Sequence, residues 1–168
     1  MAGAARPTYN FNSGSSNMRQ IVYTMHFRGQ AAPTAIDPKV LRATSSATSC
    51  TVSTTIRTSG LATDVKAGEG DLAFFESEMR LTGPDSFEET GTISFGDETD
   101  HLLHFSTLGH GHLTPSLEPG TMAGTISWKV EGGAGQFAGA RGLTTSTFVL
   151  TDSGDLSDFH SGLIFLPD

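Results

Sequence analysis

Alternating apolar and polar positions predict a β-strand at residues 122–130, with one face in the core and the other in solvent. The inward set is Met122, Gly124, Ile126, Trp128 and Val130. Trp128, the only tryptophan, is therefore expected to point into the core. A glycine-rich connection at 131–142 and a second strand at 143–150 follow, and glycine supplies the backbone conformations that such a compact turn requires.

The same period of two recurs along most of the chain and predicts about eight strands joined by short turns. Outside the central unit, the predicted strands lie within 20–28, 44–59, 71–81, 87–95, 101–113 and 156–166. Residues 39–43 fit either an edge strand or one helical turn, and residues 29–38 and 61–70 are predicted to be loops. The alternation at 20–28 places Tyr23 inward and His26 outward.

No segment has the pattern of a helix of ordinary length, so the predicted fold class is all-β. Many short strands favour a single closed antiparallel β-barrel, because closure leaves no sheet edge exposed. A length of 168 residues suits one domain with one core. We expect a flexible N-terminal tail at residues 1–17, which are mostly small and polar, and a single barrel domain at 18–168.

Charge and cysteine content narrow the range of partners. The formal net charge of −8 argues against nucleic acid, because binding a phosphate backbone needs clustered lysine and arginine. The single cysteine, Cys50, excludes an intrachain disulfide and favours a cytoplasmic location. No apolar run approaches the ~20 residues of a membrane-spanning helix, so no membrane association is expected.

The tryptophan strand and its turn carry a family resemblance. Residues 124–142, preceded by the Thr90-Gly-Thr-Ile motif and the Gly68-Glu-Gly-Asp run, resemble an uncharacterised, mainly bacterial family of small barrels. That family is related in fold to allene oxide cyclase and, more distantly, to plant dirigent proteins. The resemblance implies a pocket-bearing barrel, often a homo-oligomer, that needs no organic cofactor. It carries over no catalytic residue.

Histidine spacing raises the question of a metal site. His110-Gly-His112 followed by Glu118 has the His-x-His…Glu look of a cupin site, in which two imidazoles and a carboxylate bind one ion. The expected glycine and proline framing is missing, and no later strand offers a clearly placed further histidine. We predict no metal site and interpret these histidines as exposed residues at strand ends.

Asp158 and His160 are two residues apart in a predicted strand, so both side chains project from one face about 7 Å apart. A carboxylate can orient an imidazole whose pKa lies near neutrality, as general acid–base catalysis requires. The opposite face, with Phe159 and Leu163, is the more apolar one. A solvated pair on the barrel exterior is therefore the competing interpretation.

Glu76 and His104 present the same ambiguity. If the face of Glu76 lines the lumen, aromatic neighbours such as Phe74 raise its carboxyl pKa by burial, and the acid can exchange a proton with a ligand. If that face is outside, Glu76 belongs to a charged surface ladder. Arg57 is the cation best placed in mid-strand to bind a ligand carboxylate.

The family resemblance implies a cofactor-free cyclase or isomerase that acts on a hydrophobic small molecule held in a roomy barrel lumen, and the aromatic residues predicted to face inward agree with this. The candidate catalytic residues are Tyr23, Glu76, His104, Asp158 and His160, and the candidate ligand-binding residues are Arg57, Phe74 and Trp128. A non-catalytic binding protein for apolar small molecules is the first alternative, since the same cavity would suffice. A cupin-like metal-dependent enzyme is the second.

Overall fold

The structure, a computed structural model, describes residues 18–96 and 100–168, so the tail predicted at 1–17 lies outside the described residues. Eleven strands and one 3₁₀ turn make up the described chain. The strands are β1 (Met18–Pro33), β2 (Val40–Ala47), β3 (Cys50–Arg57), β4 (Gly60–Ala67), β5 (Ala73–Leu81), β6 (Ser86–Phe95), β7 (His101–Thr107), β8 (Gly111–Pro115), β9 (Thr121–Ala134), β10 (Arg141–Thr151) and β11 (Asp155–Pro167). The 3₁₀ turn, Gly135–Phe137, links β9 to β10.

Eight strands close into an antiparallel barrel, which confirms the predicted all-β fold. Their order is β10-β11-β1-β2-β5-β6-β7-β9, and β9 pairs with β10 to complete the ring. The short strand β8 pairs with the beginnings of β6 and β9. Strands joined by short connections pair antiparallel, because a parallel pair needs a long crossover connection.

Because successive side chains of a strand point to opposite faces, every second side chain of the barrel strands points into a common core. Trp128 and Phe27 are fully buried there, and Tyr23 is only 6% exposed. The inward orientations predicted for Trp128 and Tyr23 are confirmed. Because the eight barrel strands form one sheet closed on itself, these side chains meet across the barrel axis.

Several segments differ from the sequence-based prediction. β1 continues to Pro33 through part of the predicted loop at 29–38, because residues 28–33 pair with β2. The predicted loop at 61–70 is wrong, since Gly60–Ala67 is strand β4. The predicted single strand at 101–113 is two strands, because the chain breaks after Thr107 and Gly109 adopts a positive φ of 79°, a conformation that favours glycine. The undecided segment 39–43 belongs largely to β2.

β3 and β4 pair with each other and form a separate two-stranded sheet beside the barrel. Every residue of the two strands except Cys50 is exposed. The strand predicted within 44–59 therefore divides into β2, which is part of the barrel, and β3, which is not. We call β3 and β4 the hairpin below.

None of the described residues belongs to a helix that is long and apolar enough to cross a membrane.

Candidate functional site

Asp158 and His160 lie inside the barrel, on the inward face of β11. Asp158 is 3% exposed and His160 is 1% exposed, whereas Phe159 between them is 46% exposed. The interpretation as a solvated exterior pair is therefore wrong. Phe27 and Phe148 are the cross-strand partners of Asp158, and cross-strand partners share a sheet face. Because the rings of Phe27 and Phe148 are buried, the Asp158 carboxylate on the same sheet face also points inward.

His160 connects a phenol to a carboxylate through its two ring nitrogens. Its Nε2 lies 2.8 Å from Asp158 Oδ2, and its Nδ1 lies 3.2 Å from the hydroxyl oxygen of Tyr23. A carboxylate only accepts hydrogen bonds, so we assign the proton of the neutral ring to Nε2. Nδ1 is then an acceptor for the Tyr23 hydroxyl. Ser146 Oγ donates to the other carboxylate oxygen, Oδ1, over 2.5 Å.

The Tyr23 phenol is held in its neutral form. Burial raises its pKa well above the ordinary value of 10.0, and the nearby negative charge of Asp158 raises it further, with a smaller contribution from Cys50. A neutral phenol is both a donor and an acceptor. Since its proton points at His160, its oxygen lone pairs remain available to a second group.

Aromatic rings enclose the imidazole. The ring centroids of Phe27, Phe75 and Trp128 lie 4.6, 5.0 and 4.8 Å from that of His160. Phe105 stacks parallel to Phe75 at 5.5 Å. The middle of the barrel is therefore filled by the protein's own side chains, and the roomy lumen expected around the indole is not found there.

A second buried acid, Glu89, lies in the same core. Glu89 is 4% exposed; Ser77 Oγ donates to its Oε1 over 2.6 Å, and Trp128 Nε1 donates to its Oε2 over 3.2 Å. Burial is the main cause that raises its pKa from 4.5 to about 8, and the charge of Asp158 adds to the rise, while the bonds from Ser77 and Trp128 oppose it. At neutral pH most Glu89 carboxyls are therefore protonated.

An open hollow of about 530 Å³ lies at one end of the barrel; we call it the mouth. Met25 and Phe95 supply apolar lining, and Asp71, Asp100 and His101 supply polar groups. Tyr23 lies close below it, because its ring meets the ring of Phe95 edge to face at 6.4 Å. The phenol is therefore linked to the mouth through its contact with Phe95.

Four residues predicted to face a ligand lie outside the barrel. Glu76 and His104 are exposed on the outward faces of β5 and β7, and Phe74 is 41% exposed. Arg57 is at the end of β3 in the hairpin. For Glu76, Phe74 and His104 the lumenal alternative is wrong, because Phe75, Ser77 and Phe105 occupy the inward positions of those strands. Arg57 belongs to the separate two-stranded sheet and does not line the barrel. Of the predicted residues, Tyr23, His160, Asp158 and Trp128 are brought together.

The histidines considered for a metal site are exposed. His110 Nδ1 lies 3.7 Å from a carboxylate oxygen of Glu88, and His112 lies on the exposed face of β8. Within residues 18–96 and 100–168, no three histidine, cysteine, aspartate or glutamate side chains are gathered as a metal ion would require.

Sequence reasoning missed Glu89 and Ser146. Glu89 lies on the apolar face of 87–95 with Phe87 and Ile93. A carboxyl group among apolar residues on one strand face indicates a buried acid. Ser146 lies opposite His160 on β10, and no sequence pattern separates it from the many other serines and threonines.

Comparisons with known proteins bear on the fold. No protein-family model matches the sequence, and no curated protein matches it. Among solved structures, a pterocarpan synthase dirigent protein is similar, with a TM-score of 0.57 and 12% sequence identity over 99% of this chain and 100% of that one. At this identity the likeness establishes a dirigent-like barrel fold.

Proposed function

We propose that the chain is a cofactor-free cyclase or isomerase that binds a hydrophobic small molecule in the mouth and moves a proton of that ligand through Tyr23. The observation that supports this most is the buried chain of hydrogen bonds from Tyr23 through His160 to Asp158. A neutral phenol, an imidazole and a carboxylate in this order form a relay suited to general acid–base catalysis.

The proposed step balances without an oxidant or a metal. A ligand C–H or O–H bond breaks and its proton goes to the Tyr23 oxygen, while the phenol proton passes to His160 Nδ1. The imidazolium that forms is stabilised by the carboxylate of Asp158, 2.8 Å away. Return of a proton by the same route to another atom of the ligand completes an isomerisation or a ring closure.

We expect Phe95 to turn when a ligand reaches the phenol. Phe95 is partly exposed at the mouth, and its ring meets the ring of Tyr23 edge to face. A flat apolar ligand that replaces this contact gains the same packing surface while it reaches the Tyr23 oxygen. A site that excludes water in this way strengthens the electrostatic stabilisation of the charged intermediate.

The fold likeness also supports this proposal. The similar structure is described as a pterocarpan synthase, which links a barrel of this topology to synthesis of a small organic molecule. The relation to allene oxide cyclase and to a mainly bacterial barrel family stays a prediction from the sequence motifs.

Deuterium transfer tests the proposal. The full chain is incubated in D₂O with a panel of neutral hydrophobic metabolites that raise its melting temperature, and the recovered compounds are analysed by mass spectrometry and chiral chromatography. We expect deuterated or rearranged product with the wild type, and loss of at least about 100-fold in rate with Tyr23→Phe and with His160→Gln.

The matched control is His104→Gln, which removes an exposed imidazole on the outside of β7 and should keep the wild-type rate. Circular dichroism establishes that each variant is folded. Equal rates for the wild type and Tyr23→Phe would refute the relay.

The filled interior favours a second candidate, a binding protein without chemistry. Trp128 packs against both Phe75 and Phe105 in the middle of the barrel, and a ligand held entirely in the mouth would need no proton transfer. Ligands that stabilise the protein and are recovered unchanged and undeuterated would support this candidate.

A further inference from the structure

A second hollow, of about 380 Å³, lies outside the barrel, between the base of the hairpin and the outer surface of β1 and β2; we call it the side hollow. Val65 and Ala67 of β4 border it on the hairpin side, and His26 and Arg28 of β1 border it on the barrel side. Cys50, the first residue of β3, borders it as well. A hollow of this volume is large enough for a small organic molecule.

One part of the side hollow is apolar. Val65, Ala67 and Leu72 contribute side chains without polar atoms. Val65 and Leu72 are 39% and 37% exposed, so apolar surface remains there for a ligand to cover. Because removing apolar surface from water is favourable, this part of the hollow suits an aliphatic or aromatic group.

Arg28 is the one arginine, lysine, aspartate or glutamate among the described residues that border the side hollow. Within the part of the chain that the structure describes, Arg28 forms no ion pair. Its cross-strand neighbours, Ser157 and Ser46, are uncharged. Asp155, two residues before Ser157 on β11, instead accepts a hydrogen bond from Ser153 Oγ over 2.7 Å. The guanidinium is therefore available to an anion from solvent.

The imidazole of His26 is neutral and is held in place beside Arg28. Its ring stacks on that of Phe159, with centroids 3.9 Å apart and planes at 11°, and its Nε2 lies 2.9 Å from Ser157 Oγ. Burial lowers the pKa of His26 and the positive charge of Arg28 lowers it further, while the charge of Asp158 acts in the opposite direction. With the serine hydroxyl as donor to Nε2, the ring proton lies on Nδ1, where it can be donated to a ligand oxygen.

The mouth has the opposite electrostatic character. Asp71 and Asp100 border it, and no arginine or lysine of the described chain does. Leu72 borders both the mouth and the side hollow, so the two spaces are adjacent but present opposite charges. A ligand carboxylate is therefore repelled at the mouth and attracted to the side hollow.

We propose that the side hollow is a second ligand site, which binds a small monocarboxylate. The carboxylate pairs with Arg28, and the aliphatic or aromatic group of the same molecule covers Val65 and Leu72. A planar guanidinium matches a carboxylate through two parallel hydrogen bonds. Since one arginine balances one negative charge, a carboxylate fits this hollow better than a phosphate dianion does.

Alkylation of Cys50 tests the proposal, because Cys50 is the only cysteine and borders the side hollow. Iodoacetate carries a carboxylate, and iodoacetamide is a neutral reagent of nearly the same size. With either reagent the thiolate sulfur forms a bond to the CH₂ carbon, the C–I bond breaks and iodide leaves. Mass spectrometry of the full chain gives both rates at one pH. We expect the ratio of the iodoacetate rate to the iodoacetamide rate to exceed that of N-acetylcysteine by about fivefold.

Arg28→Gln should reduce this ratio to that of N-acetylcysteine. The matched control is Arg57→Gln, which removes the same charge from the other end of β3 and should keep the wild-type ratio. Circular dichroism establishes that the variants are folded. Val65→Asp, which places a carboxylate at the side hollow and should also reduce the ratio, is the second variant in case Arg28→Gln does not fold.

Protection by an unreactive acid gives a second measurement. Benzoate should slow the reaction of Cys50 with iodoacetamide in the wild type and reach a limit as its concentration rises, whereas benzamide, which has a similar shape and no charge, should not protect. Equal protection by benzamide, or benzoate protection that persists in Arg28→Gln, would overturn the proposal. A wild-type alkylation ratio equal to that of N-acetylcysteine, without protection by benzoate, would also do so. These measurements involve no turnover at Tyr23, so they succeed or fail separately from the proposed function.

Discussion

At the scale of single residues, the core is unusual in holding two carboxyl groups, each with a different set of partners. Asp158 receives hydrogen bonds from Ser146 and from an imidazole that can accept a proton. Glu89 receives bonds from Ser77 and Trp128, neither of which can become a cation. Burial therefore dominates at Glu89 and favours its neutral form.

Glu89 should make the protein less stable as the pH rises. Its pKa is raised from 4.5 to about 8 in the folded state, so the folded chain holds a proton that the unfolded chain releases. The stabilisation is complete below pH 4.5 and is lost as the pH approaches 8, and it amounts to about 3–5 kcal/mol. Glu89→Gln, which cannot ionise, should be less affected by rising pH in urea unfolding measured between pH 5 and 9.

The control for this prediction is Glu88→Gln. Glu88 is the sequence neighbour of Glu89 but lies on the exposed face of β6, so its removal should leave the pH dependence of the unfolding free energy like that of the wild type. Parallel pH profiles for Glu89→Gln and the wild type would contradict the raised pKa.

Trp128 should report the ionisation of Glu89. Its Nε1–H donates to Glu89 Oε2 over 3.2 Å, and it is the only tryptophan, so the tryptophan fluorescence of the chain comes from one site. Excitation moves electron density away from the pyrrole ring, and a negative charge beside that ring shifts the emission to longer wavelength. We expect a shift with a midpoint near pH 8 in the wild type and in Glu88→Gln. The shift should be absent in Glu89→Gln; its persistence there would point to another titrating group.

The sequence predicted the inward positions of Tyr23 and Trp128 but not that of His160. In 20–28 and 122–130 one face is clearly more apolar, so the alternation identifies the side chains that point into the core. In 156–166 both faces carry apolar residues, and Phe159 and Leu163 are exposed on the outer surface of the barrel. Hydrophobicity alone therefore gave the wrong face for Asp158.

At the scale of elements, two strands place a glycine beneath an aromatic ring of a paired strand. Gly124 of β9 is the cross-strand partner of Phe148 in β10, and Gly111 of β8 is the partner of Phe87 in β6. A Cβ atom at either glycine would collide with that ring. Phe87 and Phe148 also meet each other edge to face at 5.9 Å, so the two glycines let both rings share one layer of the core.

Gly124→Ala should therefore destabilise the barrel by overpacking, by about 1–3 kcal/mol. The double variant with Phe148→Leu should cost less than the sum of the two single changes, because a smaller side chain at 148 leaves room for the new methyl group. Chemical unfolding of the two single variants and the double variant measures this coupling. Strictly additive effects would show that the ring of Phe148 is not what restricts position 124.

Most strands could be predicted from the sequence, whereas strand pairing could not. The period of two identifies β5, β6, β9, β10 and β11 to within a few residues, but it does not say which strands are neighbours. The loop predicted at 61–70 failed because β4 is exposed on both faces, so its residues carry no inside–outside pattern to detect.

At the scale of the whole molecule, the barrel and the hairpin should have separate roles. The buried network, the aromatic core and the mouth residues Met25 and Phe95 belong to the barrel, while the hairpin adds no buried side chain to it. The barrel should therefore fold without the hairpin. Cys50 and Ala67 are cross-strand partners, so a two-residue Asn-Gly turn can join them once residues 51–66 are removed.

We expect this deletion variant to keep the β-sheet circular dichroism and the fluorescence midpoint near pH 8 of the wild type, because both depend on barrel residues. Loss of the barrel signal on deletion would show that the hairpin is part of the folding unit.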